Sequence, residues 1–177
     1  SGGNYKNDFV DLCIMKDLLK QGVRCLDFEI FSIDDQPVIA TSTIDSFYIK
    51  ETFNYIEFVK AMNVIRDYAF STSTAPNSAD PIIIHLRIKS TNQKMYQNFA
   101  LLLENYNSIL LGKEYDSEYN GQNFGDIELR SLMGKVVIIV ERSNSDILEC
   151  PEFYRFINIT SKSVFMRSYN YDEIEYT

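Results

Sequence analysis

Asp27 and Glu29 are the residues of this chain best spaced to act together. They sit in Cys25-Leu26-Asp27-Phe28-Glu29-Ile30-Phe31, where Leu26, Phe28 and Ile30 alternate with Cys25, Asp27, Glu29 and Phe31. That alternation is the period of a β-strand and puts both carboxylates on one face. Two like charges so close on an apolar strand need compensation, which a cation or a hydrogen-bond network supplies. Hard carboxylate oxygens suit Ca²⁺ or Mg²⁺, although two carboxylates are too few for a tight Ca²⁺ site. The structural alternative is that one carboxylate pairs with a nearby Arg or Lys while the other reaches solvent.

Other chemistry is sparse. His85 is the single histidine and lies between Ile84 and Leu86, which reads as a hydrogen-bonded core residue. The sequence offers no Ser-His-Asp arrangement, no second His for an acid/base pair, and no Cys/His zinc spacing. It has no Gly-rich phosphate loop either; Gly112, Gly121, Gly125 and Gly134 fall at turns. Cys13, Cys25 and Cys150 are scattered and odd in number, Cys25 reading as a buried strand thiol. This usage favours a reducing compartment, and gives no reason to read the Asn158-Ile159-Thr160 sequon as glycosylated.

Net charge is -8 and the pI about 4.7. Such an acidic chain without a basic stripe is not a general nucleic-acid binder, and it would not dock electrostatically on an anionic membrane. No apolar run reaches the roughly 18 residues of a membrane-spanning helix.

The elements that must position the acidic pair follow from periodicity. Residues 11–20 read as a helix with Leu12, Met15 and Leu19 on one stripe and Gly22 past its end. Residues 23–31 are the first strand, residues 34–37 turn chemistry, and residues 38–41 a short second strand. A long helix is expected over 53–70, then a polar loop over 71–80. Residues 81–88 form a near-continuous β-branched run, as in parallel sheets covered on both faces. Ser90 and Gln93 suggest a capping box for a helix through Leu110 that Gly112 ends. A buried strand over 135–140, a short helix over 153–156 and a last strand over 164–169 complete the chain. Strands alternating with helices mean α/β with a parallel sheet. About five strands are countable, whereas a closed eight-stranded barrel takes about 250 residues.

Four blocks of sequence resemble the X region of phosphatidylinositol-specific phospholipase C, including phospholipase-C-like phosphodiesterase relatives in large DNA viruses. Residues 18–29, with Gly22-Val23-Arg24-Cys25-Leu26-Asp27-Phe28-Glu29, resemble its "L-x-x-G-C-R-C-V-E-L-D" strand. Gln36-Pro37-Val38-Ile39 is similar to "E-P-V-I-Y-H-G", and Asp80-Pro81-Ile82-Ile83-Ile84-His85-Leu86-Arg87 to "Y-P-V-I-L-S-L-E". Leu132-Met133-Gly134-Lys135-Val136-Val137-Ile138-Ile139 is similar to "L-K-G-K-I-L-I-K", and more weakly Lys162-Ser163-Val164-Phe165 to "K-S-V-x-F".

The resemblance implies a partial TIM-like (β/α) barrel over residues 1–177, either a domain by itself or a fragment of a longer chain. It puts Asp27 and Glu29 on the family's two acidic positions, which bind Ca²⁺ and help activate the inositol 2-hydroxyl. Ser163 falls on a headgroup-binding serine. The second catalytic His falls on Ala40 or Thr41, the third-strand Glu on Arg87, and the phosphate-binding lysines on Ile139 and Glu141. The first catalytic His and its Asn would lie at or before Ser1. A cyclising phosphodiesterase needs a base, an acid and charge stabilisation on the phosphate. The expectation is therefore a degenerate domain in which Arg87 sits against Asp27 and Glu29 in the metal's place, with no cofactor.

As function, this implies a structural or interaction module, viral and part of a particle, in a reducing compartment or a virion. A protein partner or the second barrel half would complete the sheet. The alternatives are a divergent Ca²⁺-dependent phosphodiesterase, acting on a phosphoinositide or another phosphodiester, and a soluble binding domain without a small-molecule ligand.

Overall fold

A computed structural model of the chain describes residues 8–42, 49–116, 123–141, 144–161 and 163. In chain order the described elements are α1 (Cys13–Lys20), β1 (Cys25–Ile33), β2 (Gln36–Ala40), β3 (Ile56–Glu57), α2 (Phe58–Val64), β4 (Ile82–Ile88), α3 (Gln93–Glu104), α4 (Leu129–Leu132), β5 (Val136–Val140), α5 (Pro151–Tyr154) and β6 (Ile159–Thr160), with short 3₁₀ turns between some of them.

The strands form a six-stranded sheet in the order β3-β2-β1-β4-β5-β6. β1, β4, β5 and β6 run parallel, while β2 is antiparallel to β1 and β3 to β2. The parallel part thus holds four described strands rather than five. The second strand departs because Asp34 and Asp35 both adopt positive φ, 50° and 59°. Two such residues make the tight hairpin turn that returns a chain antiparallel; a parallel return needs a crossover of a dozen or more residues. β6 had no counterpart in the sequence reading, and the strand expected over 164–169 lies outside the described residues.

Helices cover one face of the sheet. Leu26, Phe28 and Ile30 of β1 and Ile82, Ile84, Leu86 and Ile88 of β4 share a core with Met15 and Leu19 of α1, Phe58 and Met62 of α2, Phe99 and Leu103 of α3 and Phe153 of α5. Aromatic rings run through it: Phe28–Phe58 at 6.0 Å, Phe58–Phe99 at 4.7 Å and Phe99–Phe153 at 4.8 Å between centroids. Pairs of this kind add about 0.5–1.5 kcal/mol each beyond the area they bury. The opposite face carries Asp27, Glu29, His85 and Arg87, plus a small separate cluster of Phe31, Val38 and Ala40. β4 accordingly alternates buried and half-buried residues rather than being buried on both faces. Helices along one face of a largely parallel sheet are what one segment of a (β/α) barrel wall presents, and the described sheet is not closed.

Local chemistry moved several boundaries. α1 starts at Cys13, whose amide is held by Asp11 Oδ1 at 2.8 Å. Ile56 and Glu57 join the sheet as β3, so α2 begins at Phe58 and continues through a wider turn over Ile65–Ala69. Ser90 and Gln93 do not form the expected box. Asn92 caps α3 by accepting from Lys94 N at 3.1 Å, and Ser90 Oγ accepts from Asn92 N at 3.1 Å. α3 ends at Glu104, and Leu110 then bridges to Val136 beside β5, so Gly112 does not end it. Cys25 is exposed, because it shares the face of Asp27; Cys150 is the buried cysteine, and all three are free thiols.

Candidate functional site

The register of two parallel strands builds the site. Asp27 pairs with His85 and Glu29 with Arg87, so four polar side chains from β1 and β4 meet on the face away from the helices. Arg87 spans both acids. Its Nη2 and Nε donate to Asp27 Oδ2 at 2.7 Å and Oδ1 at 3.2 Å, and its Nη1 donates to Glu29 Oε1 at 2.9 Å. His85 Nδ1 lies 2.8 Å from Asp27 Oδ1. The last oxygen, Glu29 Oε2, accepts the backbone N–H of Ser42 at 2.8 Å.

Burial differs sharply between the two acids. The Glu29 side chain is 4% exposed and Asp27 47%. A buried carboxylate persists as an ion only when it is paired and hydrogen-bonded, and Glu29 is both. Burial alone would raise the Asp27 pKa; the hydrogen bonds from His85 and Arg87 and their charges outweigh it and hold Asp27 below the ordinary carboxylate range. Partial burial, then the charge of Asp27, pushes the Cys25 thiol up, which disfavours a thiolate nucleophile there.

His85 is therefore a member of the site and not a core residue. It was missed because the lone residue has no motif; the signal was its parity with Arg87 on the third expected strand, combined with parallel pairing to β1. Thr41 follows β2, and its hydroxyl is buried with no hydrogen-bond partner among the described residues. Ala40 is fully buried opposite Glu29. Ile139 pairs with His85 on β5, and Glu141 follows that strand, its amide on Leu86 O at 2.9 Å. Ser163 is buried beyond β6 with its amide on Thr160 O at 3.0 Å.

A cavity of about 700 Å³ opens beside the acids. Asp27, Glu29, Arg87, Thr41 and Ser42 line its polar end, but Ser163 and His85 do not. Its other walls are apolar, from α1 and the segment before it and from Leu26 and Phe28.

The Ca²⁺ that the family implies does not fit these residues. Each of the four carboxylate oxygens of Asp27 and Glu29 already receives an N–H from the chain or lies against the His85 ring nitrogen, and a guanidinium charge sits between the acids. Ca²⁺ takes six to eight oxygen ligands, waters included, and carboxylate oxygens already committed to N–H donors beside a fixed positive charge do not supply the anionic ones. Among the described residues no group of three or more His, Cys, Asp or Glu is arranged to hold a metal ion.

Fold and site together define an α/β half-barrel domain with a charged cluster on its inner face. Residues 11–142 match the model of the phosphatidylinositol-specific phospholipase C X domain, and the chain belongs to that family. Among solved structures it is similar to the crystal structure of L. pealei PLC21, with a TM-score of 0.61 and 15% identity over 90% of this chain and 25% of that one. S. officinalis PLC21 is similar too, with a TM-score of 0.60 and 14% identity over 88% of this chain and 21% of that one. The chain thus spans about a quarter of the length of these solved proteins. No curated protein matches it at a significant level. Among the described residues no helix is long and apolar enough to cross a membrane.

Proposed function

We propose that this X domain has lost Ca²⁺-assisted phosphodiester cleavage and serves as a structural or interaction module. The observation that carries this reading is the saturation of Asp27 and Glu29 by Arg87, His85 and the Ser42 amide. At the positions that the resemblance assigns to the family's acid and to its phosphate-binding cations, this chain carries neither. Where the resemblance puts an acidic imidazole, Thr41 offers a hydroxyl, which does not protonate a leaving group at neutral pH. Where it puts phosphate-binding lysines, Ile139 is apolar and Glu141 repels an anion. The short β3 and β6 leave sheet edges that the rest of a barrel or a protein partner would cover, which supports an interaction role. The viral setting rests on the sequence resemblance alone.

One observation favours a second reading, a divergent phosphodiesterase. His85 is oriented by Asp27 through Nδ1, and among the described residues its Nε2 has no hydrogen-bond partner. An imidazole held that way is the usual form of a general base. The deciding experiment is turnover of phosphatidylinositol and of bis(p-nitrophenyl) phosphate, with Ca²⁺ and with chelator. The module reading expects no turnover above that of His85→Ala. Turnover that His85→Ala abolishes would establish the second reading in its place.

A further inference from the structure

The hydrogen bond that saturates Glu29 also opens the sheet. β1 and β2 pair from Ile33↔Gln36 down to Glu29↔Ala40. Continued for two more residues, that register would set Ser42 opposite Asp27. Instead the Ser42 amide is drawn to Glu29 Oε2, and the Thr41 carbonyl accepts from Glu51 N at 2.9 Å. The β2 ladder therefore stops while β1 continues to Cys25 on its β4 side.

The consequence is a bare strand edge. In β1 the even residues face β4, as the bonds from Ile83 N to Arg24 O at 2.8 Å and from Lys89 N to Ile30 O at 2.7 Å show. In a parallel ladder the odd residues then turn their N–H and C=O the other way. Those of Glu29 meet β2; those of Cys25 and Asp27 face the 700 Å³ cavity, which both residues line, and among the described residues no strand pairs with them there. Thr41, whose buried hydroxyl has no partner among the described residues, lines the same space.

We infer that this cavity is a docking groove for one extended strand supplied by a partner polypeptide, which would pair with Cys25 and Asp27 and extend the sheet past the end of β2. Exposed edges recruit strands in this way, main-chain bonds giving affinity and alternate side-chain pockets giving specificity. The walls set the side-chain pattern. Leu26 and Phe28 point to the helix side, where Val10, Met15, Leu18 and Ile56 make an apolar wall. Asp27 points to the other side, and the groove as a whole presents the carboxylates of Asp11, Asp27 and Glu29 against the Arg87 guanidinium. The fitting strand alternates apolar residues with Lys or Arg, its cations answering the net negative charge that Asp11, Asp27 and Glu29 leave against one guanidinium. A phosphorylated headgroup, which the family's activity would bring, meets net negative charge here.

This proposal names the partner class for the interaction-module reading, and its test is independent of catalysis. The probe is the peptide acetyl-Val-Lys-Val-Lys-Val-Lys-amide, read by hydrogen exchange at the Cys25 and Asp27 amides of the whole 177-residue chain. Both amides exchange freely in the chain alone and slow by about tenfold or more at millimolar peptide. A backbone N-methylated copy, and a copy with Glu in place of Lys, leave them fast. Slow exchange in the chain alone would overturn the proposal. Were that protection to grow with protein concentration, the occupant would be a second copy; were it independent of concentration, the chain would cover its own edge. No effect of the basic peptide, or equal protection by the acidic one, would overturn it as well.

Discussion

Arg87 reaches Glu29 through a 2.9 Å bond to a carboxylate that is 4% exposed, and the same guanidinium grips Asp27 in the open. One cation thus stabilises a buried charge and an exposed one. Removing Arg87 leaves Glu29 ionised and uncompensated inside the domain. Arg87→Gln is expected to cost about 3–5 kcal/mol of stability at pH 7, the usual loss when one partner of a buried pair is deleted. Urea unfolding measures it.

Arg87→Glu introduces the acid that the resemblance puts at this position and places three carboxylates around one point. The variant is expected to be less stable than the parent in chelator, and its Tm to rise with millimolar Ca²⁺ as binding shifts the folding equilibrium. Thermal unfolding in Ca²⁺ and in EDTA checks this. An equal Ca²⁺ effect on the parent chain would contradict it.

Asp27 titrates below its ordinary value of 3.8 because of His85 and Arg87. A carboxyl that binds protons less readily when folded adds stability above its unfolded pKa and loses it as pH falls through the folded one. The parent chain is therefore expected to weaken below about pH 4 more steeply than Asp27→Asn, which lacks that group. The measurement is the urea midpoint between pH 3 and pH 7. Because Asp27 is 47% exposed, solvent screening keeps the difference small.

The sequence made the acidic face and the two strands that carry it legible, since alternation in residues 25–31 and the β-branched run at 81–88 are direct physical signals. The resemblance, which sets Arg87 on the family's third-strand Glu, also carried Arg87 to the acids. The sequence did not show that Asp34 and Asp35 close a two-residue hairpin, so β2 was counted among parallel strands. Nor did it show that Ile56 leaves a helical stripe to become β3, because tertiary pairing overrides a short apolar period. His85 was read as core because the periodicity of β4 was hidden by Ile83, an apolar residue on the polar face.

The hairpin gives a prediction of its own. Asp34 sits at φ 50°, which Asn and Gly adopt readily and β-branched residues do not. Asp34→Val is expected to lose about 1–2 kcal/mol in urea unfolding, while Asp34→Asn is neutral or slightly stabilising.

Asn144 holds the loop before α5 from within. Its Nδ2 donates to Ser90 O at 2.7 Å and to Tyr96 Oη at 3.1 Å, and its Oδ1 accepts from Asp146 N at 2.9 Å. Asn144→Leu removes all three bonds; Ser90 O keeps the Tyr96 hydroxyl at 3.0 Å, so the expected cost is about 1–3 kcal/mol, mainly for the Asp146 N–H that loses its acceptor. Denaturant unfolding of that variant beside Asn105→Leu, an exposed control, checks it.

The central claim is that Arg87 stands where the family holds a cation. Titration calorimetry of the whole chain with Ca²⁺ tests it most directly. The account predicts no binding heat up to millimolar Ca²⁺, in the parent chain and in Asp27→Asn alike. Micromolar binding in the parent that Asp27→Asn abolishes would contradict it.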